Sequence, residues 1–304
     1  MKTFAYRWFA IALTAVHLAA LLAAPGARAA AYSIPGADTQ VVGAVIPVRS
    51  RYEDTLASLA EDHGLGWREL VAANPEVDAW LPGEGTVVNL PTKYILPSGP
   101  REGVVINVSE FRLYYFSADG KMVVTYPVGL GRLDFPTPLV NTQIRAAVAN
   151  PSWSPGPTAR REHAERGNPL PAVVPPGPDN PMGSMAIMLG IPSYFIHGTN
   201  QPFAVGQTAS LGCIRMYNNH VEALAEIARN GSPVRIVNEP YKVGWRDGEL
   251  YLEVHTDIYD MAKPGELERR IKEAVNGEAA TIDWALVQSL AEKPTGIPTR
   301  IQVL

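Results

Sequence analysis

The chain's 304 residues suffice for about two domains of ~150 residues each, and 46% hydrophobic content excludes a disordered or fibrous protein. Charged residues are only 18%, with 26 basic against 30 acidic and a formal net charge of -4, and no basic stripe points to nucleic acid. The first residues carry a separate message. Lys2 and Arg7 precede an apolar run from Trp8 to Ala24, Pro25 and Gly26 break it, and Ala27-Arg28-Ala29 follows. This reads as a secretory signal peptide, residues 1–29, cleaved after Ala29, because the run is shorter than the ~20 apolar residues a spanning helix needs. Residues 1–29 hold three basic and no acidic groups, so the processed chain has 23 basic against 30 acidic and a net charge of -7. It is expected to be soluble and outside the cytoplasm.

Residues 30–50, with Pro35, Gly36, Gly43 and Pro47, read as a lead-in. Thr55 caps a helix whose apolar face is Leu56, Leu59 and Ala60, and a second helix runs from about Trp67 to Ala73 before Asn74-Pro75 stops it. Leu81-Pro82-Gly83 then turns the chain into a short strand, Thr86 to Leu90. The segment 42–92 is therefore a βααβ unit. Its Asp-Thr-Leu start, its Asn-Pro and its Leu-Pro-Gly turn resemble a LysM peptidoglycan-binding module, with Glu53 where such modules often carry Gly. A packing domain without sugar affinity is the alternative.

Pro91 and the stretch Pro97 to Pro100 mark a linker. From there the period becomes two: Val104 to Val108, Phe111 to Phe116, a turn at Asp119-Gly120, and Met122 to Val128. Further strands are predicted at Ile144–Val148, Ser184–Leu189, Tyr194–Ile196 and Val234–Val237. One helix is predicted, with Asn219 as N-cap, Val221, Leu224, Ala225 and Ala228 on its apolar face, and Gly231 beyond its end. His220, in its first turn, reads as a solvated surface residue. Between Pro151 and Pro181 lies an irregular, proline-dense stretch with Trp153, Arg160, Arg161, His163 and Arg166, which reads as a semi-rigid flap beside a site. Beyond Val237, a strand pair joined by Asp247-Gly248 and two polar helices, Pro264–Val275 and Thr281–Glu292, read as a structural appendage.

The chemistry concentrates in Tyr194-Phe195-Ile196-His197-Gly198-Thr199-Asn200 and, after a short loop, Ser210-Leu211-Gly212-Cys213-Ile214-Arg215-Met216. Exported proteins usually pair their thiols, yet Cys213 is the only cysteine. A lone thiol is more often a small buried hydrophobe, but His197 changes that reading. Sixteen positions separate the two, enough for a loop with Pro202 and Gly206 to fold back so that imidazole and thiol meet. A free thiol of pKa about 8.5 is only a few per cent thiolate at neutral pH, and a neighbouring imidazolium that lowered it to ~7 would make it about half thiolate. A backbone carbonyl near Gly198 suffices to orient the ring. Gly212 lets a substrate approach closely, and amides around Cys213 are expected to form an oxyanion pocket. Arg215 is expected to hold a substrate carboxylate, a structural ion pair being the alternative.

His-Gly-Thr-Asn followed by Ser-x-Gly-Cys-Ile-Arg-Met resembles the L,D-transpeptidase catalytic domain, of the YkuD type. The resemblance covers about residues 102–238, including Asn150-Pro151-x-Trp153, Gly177-Pro178-x-Asn180-Pro181-x-Gly183 and the exit from Gly231 to Val237. It implies a mostly β catalytic domain, a β-sandwich with one packed helix, joined to the small LysM-like unit and a short α/β C-terminal extension, 239–304. It also implies an enzyme of the Gram-negative envelope, in the periplasm, acting on peptidoglycan stem peptides. Cys213 would attack the bond after the third stem residue and release the terminal D-Ala. The thioester would pass to an amine of a second stem, giving a 3-3 cross-link, or to a lysine of an outer-membrane lipoprotein; water as acceptor would make a carboxypeptidase. His197 would act as base and then acid, with Arg215, Ser210, Gly212, Gly198 and Thr199 shaping the substrate site, without metal or organic cofactor, and carbapenems would acylate Cys213. Leu211 stands where many relatives carry a second His, so His197 would act alone, and Val140 stands where a turn Gly is common. A sortase would need Thr-Leu-x-Thr-Cys with Arg well downstream, which is absent here. A non-catalytic wall-binding protein is the other rival, and the pairing of Cys213 with His197 argues against it.

Overall fold

The computed structural model describes residues 29–276 and 280–303; the signal-peptide reading falls, save for Ala29, outside them. Ordered structure begins at once. β1 (Ala30–Ser33) pairs antiparallel with Met122–Thr125, so part of the expected lead-in is an edge strand of the main sheet. No local pattern announces it, because its partner lies about ninety residues on.

β2 (Val41–Arg49), α1 (Leu56–Asp62), α2 (Trp67–Ala73) and β3 (Val87–Ile95) form the βααβ unit. Thr55 caps α1 reciprocally: its hydroxyl accepts from Ser58 N–H at 3.0 Å while its own N–H donates to the Ser58 hydroxyl at 2.9 Å. Leu56, Leu59, Leu65 and Leu70 close over Val88 and Leu90. The two strands pair antiparallel along their whole length, with Pro91 opposite Val45. Pro91 is thus inside β3 rather than in a linker; a two-stranded ladder leaves each strand an open edge, where a residue without N–H is tolerated.

The central body holds β4 (Gly103–Asn107), β5 (Arg112–Phe116), β6 (Met122–Pro127), β7 (Leu130–Gly131), β8 (Val140–Ala149), α3 (Pro157–Glu165), β9 (Met185–Leu189), β10 (Phe195–His197), β11 (Thr208–Ser210), β12 (Ile214–Arg215), α4 (Asn218–Ile227) and β13 (Pro233–Val237). It is mostly β. Nine strands make one sheet in the order β1-β6-β5-β4-β13-β8-β9-β10-β12. Ile106, Leu113, Ile144, Ile187, Ile196 and Ile214, drawn from both ends of that order, share one core with Val221 and Leu224 of α4, so the sheet curls around its own apolar face. His220 corrects its expected role: it is buried, with its ring 5.3 Å from Tyr126 and 5.3 Å from Tyr217, edge to face with each. In the first turn of α4, His220 and Val221 face the core while Asn218 and Asn219 are exposed.

β14 (Tyr241–Arg246), β15 (Glu249–Val254), α5 (Glu266–Val275), α6 (Trp284–Glu292) and β16 (Thr299–Arg300) build the C-terminal unit around Leu250, Leu252, Ile271, Val287 and Ile301. It is more than an appendage. Lys242 of β14 is buried and sends its Nζ to Glu110 at 2.9 Å, to Glu253 at 2.8 Å and to the Ile95 carbonyl at 2.7 Å. Three units meet at that one ammonium group. Among the described residues no helix is long and apolar enough to cross a membrane.

Candidate active site

β10 and β12 run parallel and adjacent, with Ile196 opposite Ile214 and His197 opposite Arg215. Cys213 immediately precedes Ile214, just outside the strand, and the pairing of His197 with Arg215 puts those two side chains on one face. The Arg215 charge acts on both the His197 ring and the Cys213 thiol, so both groups lie beside the same guanidinium. The loop joining them is held from outside. Phe203 packs edge-on against Trp67 of α2 with centroids 5.6 Å apart, and beyond the loop Tyr217 donates its hydroxyl to the Leu65 carbonyl at 3.0 Å.

His197 is buried, and its Nδ1 lies 2.6 Å from the Gly198 carbonyl oxygen. A carbonyl only accepts, which assigns the proton to Nδ1 and leaves Nε2 as the basic nitrogen. Burial, with the Arg215 guanidinium nearby, lowers the ring to about 4 against the opposing pull of the Gly198 and Pro181 carbonyls. The imidazole is therefore neutral at physiological pH. The turn after it is fixed by Asn218, whose Oδ1 accepts from Thr199 N–H at 3.0 Å and Ser184 N–H at 3.2 Å while its Nδ2 donates to the Thr199 carbonyl at 3.0 Å. A side chain at Gly198 would collide with that Oδ1, which is why the residue after the histidine is glycine.

Cys213 is half-buried, and its thiol donates to the Ser193 carbonyl at 3.6 Å. Burial raises the thiol above its ordinary value, opposed by the Phe195 backbone and the Arg215 charge. This corrects the expected imidazolium–thiolate pair: desolvation penalises both ions, and the Arg215 cation disfavours a second positive charge beside it. The resting pair is thiol and neutral imidazole.

Gly212 adopts φ +105°, and a Cβ there would stand 2.9 Å from Tyr194 Cε1. Its N–H donates to Ser210 Oγ at 3.1 Å, and Ser210 in turn donates to the Cys213 carbonyl at 2.6 Å. The Gly212 amide is thus committed to Ser210, which narrows the expected oxyanion pocket toward the Cys213 amide itself. The Thr199 hydroxyl likewise accepts from Gln201 N–H at 3.0 Å. Arg215 differs from these. Its guanidinium, largely enclosed, forms no ion pair among the described residues, and its Nε is buried without a partner. The alternative of a structural salt bridge is not met.

Residues to which the sequence reading gave no role complete the frame. Asn180, fully buried, donates through Nδ2 to the Pro151 and Pro175 carbonyls at 2.8 and 3.1 Å and accepts from Met182 N–H at 2.9 Å. The proline-dense stretch it pins contains α3, which Pro157 opens, and Arg132 grips that helix through both oxygens of Glu162 at 2.8 and 2.9 Å. Glu110, Glu253 and His255 bring three ligand-type atoms within 4.8 Å of one another, but the Lys242 ammonium already sits on both carboxylates. That seat is filled by the chain's own cation.

Residues 101–236 match the model of the YkuD family, described as the L,D-transpeptidase catalytic domain. The chain is 35% identical over 296 residues to the Probable L,D-transpeptidase ErfK/SrfK of Escherichia coli, covering 93% of this chain and 94% of that one. With the Probable L,D-transpeptidase YcfS of the same organism it shares 35% identity over 312 residues, 99% of this chain and 97% of that one. Its superposition on the catalytic domain of the E. faecium L,D-transpeptidase, solved by NMR, has a TM-score of 0.36 at 16% identity, covering 46% of this chain and all of that one.

Proposed function

The chain belongs to the L,D-transpeptidase family, and from that premise and the geometry of the cleft we propose that it is a cysteine-dependent transferase acting on peptidoglycan stem peptides in the periplasm. The observation that supports the reading is the parallel pairing of β10 with β12, with His197 opposite Arg215 two residues beyond Cys213. Nε2 of the neutral His197 takes the thiol proton as sulfur attacks the carbonyl of the third stem residue, so no standing thiolate is needed. The Cys213 amide steadies the oxyanion. As the carbon–nitrogen bond breaks, the imidazolium returns its proton to the departing amine, terminal D-Ala leaves, and a thioester on Cys213 remains. An amine of a second stem then attacks the thioester, again losing its proton to His197, and frees the thiol as a 3-3 cross-link forms. Arg215, with a buried Nε left unpaired among the described residues, holds a carboxylate of the substrate, while Ser210, Gly212, Gly198 and Thr199 set the cleft's outline. The 42–92 unit with its LysM-like pattern is the glycan-side module, 102–238 the catalytic domain and 239–304 its extension.

The purified protein incubated with disaccharide tetrapeptides is expected to give cross-linked dimers by mass spectrometry, and Cys213→Ser none, with an unchanged melting temperature. Turnover retained in the Ser variant would overturn the mechanism. Tripeptides without dimers would make the protein a carboxypeptidase, and labelling of a lipoprotein lysine would identify the other acceptor.

A further inference from the structure

The C-terminal unit reaches the nucleophile through one hydroxyl group. Asp257 fixes a turn beyond β15, accepting from Asn238 Nδ2 at 3.0 Å and from Ala262 N–H at 2.5 Å, and Asp260 within that turn has φ +53°. This turn lays Ile258 and Tyr259 against the catalytic core. The Tyr259 hydroxyl donates to the Gly131 carbonyl at 2.8 Å and accepts from Thr137 N–H at 3.2 Å. Thr137, fully buried, passes the constraint on: its hydroxyl accepts from Gly131 N–H at 2.9 Å and donates to the Gly212 carbonyl at 3.0 Å. Gly131 itself is paired with Ser210, which holds the Cys213 carbonyl. On either route, through Thr137 and Gly212 or through Gly131 and Ser210, two residues separate Tyr259 from Cys213.

The geometry points to Tyr259 as a positioning residue for Cys213, contributed from outside the catalytic domain. Without a Cβ, Gly212 has many backbone conformations open to it, so its neighbours select the φ of +105°, and two of them, Thr137 and Gly131, are both tied by the same phenolic oxygen. The ring supplies packing, and the hydroxyl supplies register. Because small displacements of a nucleophile cost up to about a hundredfold in rate, removal of the hydroxyl alone is expected to slow the thiol without loosening the fold. The inference rests on Cys213 being the nucleophile, so one of its tests is independent of the reaction.

Tyr259→Phe and Thr137→Val in the full chain, with Thr137→Ser as the conservative control, would be compared in three ways: kcat and KM on disaccharide tetrapeptide, the rate of Cys213 alkylation by iodoacetamide, and melting temperature. Cys213 is the only thiol, so alkylation reports it alone. Tyr259→Phe is expected to lower kcat and the alkylation rate about tenfold or more, with KM and melting temperature nearly unchanged. Thr137→Ser is expected to match wild type, and the double variant Tyr259→Phe with Thr137→Val to lose no more than the worse single one. Unchanged kcat and alkylation in Tyr259→Phe would overturn the assignment, as would a loss that tracks melting temperature across the variants. If wild type shows no cysteine-dependent turnover yet Tyr259→Phe still slows alkylation, the proposed function fails and the positioning role stands.

Discussion

The imidazole of His197 is held neutral by its surroundings rather than charged by a partner. Its enclosure beside Arg215 lowers it from 6.5 to about 4, and this fixes how the protein must respond to acid. Acylation of Cys213 needs the free base, so its rate is expected to stay level as pH falls from 7 to 5 and to drop as pH nears 4. A rate limb at pH 6 to 7 in a stopped-flow acylation profile would refute the assignment. Stability moves in the same direction for a linked reason. Between 6.5 and 4 the unfolded chain binds a proton that the folded chain refuses, so this residue withdraws up to about 3 kcal/mol as pH falls through that window and none above it. The thiol, held above its usual value, gives the opposite limb: alkylation is expected to climb steeply only at alkaline pH.

At the scale of elements, Asn180 pins the base of the flap. Asn180→Ala would strand the buried Pro151 carbonyl and the Met182 N–H, each an unpaired polar group costing about 1–3 kcal/mol. A loss of roughly 2–4 kcal/mol in urea unfolding is expected, with faster amide exchange across α3; a loss below ~1 kcal/mol would show the flap to be held otherwise. The sequence made the elements with local signals legible. Thr55 and the stop at Asn74-Pro75 bounded the first helices, Asp119-Gly120 made the hairpin, and His197 and Cys213 stood out by residue type. What escaped depended on distant partners. β1 has too short a run to announce itself, and β7 and β12 are two residues each. α3 hid among prolines, although Pro157 at its first position is a start signal in its own right. Asn180, Asn218 and Thr137 look like ordinary polar residues, and only the folded chain reveals the carbonyls they satisfy.

On the scale of the whole molecule, the C-terminal unit, the catalytic body and the βααβ unit are joined at Lys242. Its ammonium, fully buried, touches Glu110, Glu253 and the Ile95 carbonyl, while Glu253 also accepts from Ile95 N–H at 2.6 Å and from His255 Nε2 at 2.7 Å. A second buried pair, Arg112 with Glu69, joins β5 to α2, with the Tyr94 hydroxyl on the same carboxylate. Burial alone would raise Glu253, but Lys242 and His255 outweigh it and hold the carboxyl below its usual value. Its contribution to stability is therefore present above the ordinary carboxylate range and fades as pH falls into that range and below. Lys242→Met reverses the sign. With the cation gone, Glu110 and Glu253 lose their buried ammonium partner, a change worth about 3–5 kcal/mol at pH 7, and Glu253, no longer held down by Lys242, is driven to take up a proton. The variant is expected to gain stability between pH 7 and 5 while wild type holds level or loses, so that the two unfolding curves converge in acid. Calorimetry over that range decides it: parallel pH profiles would mean that the carboxylates are compensated by something other than Lys242, and a wild-type melt in separate steps would mean that the three units are not held as one.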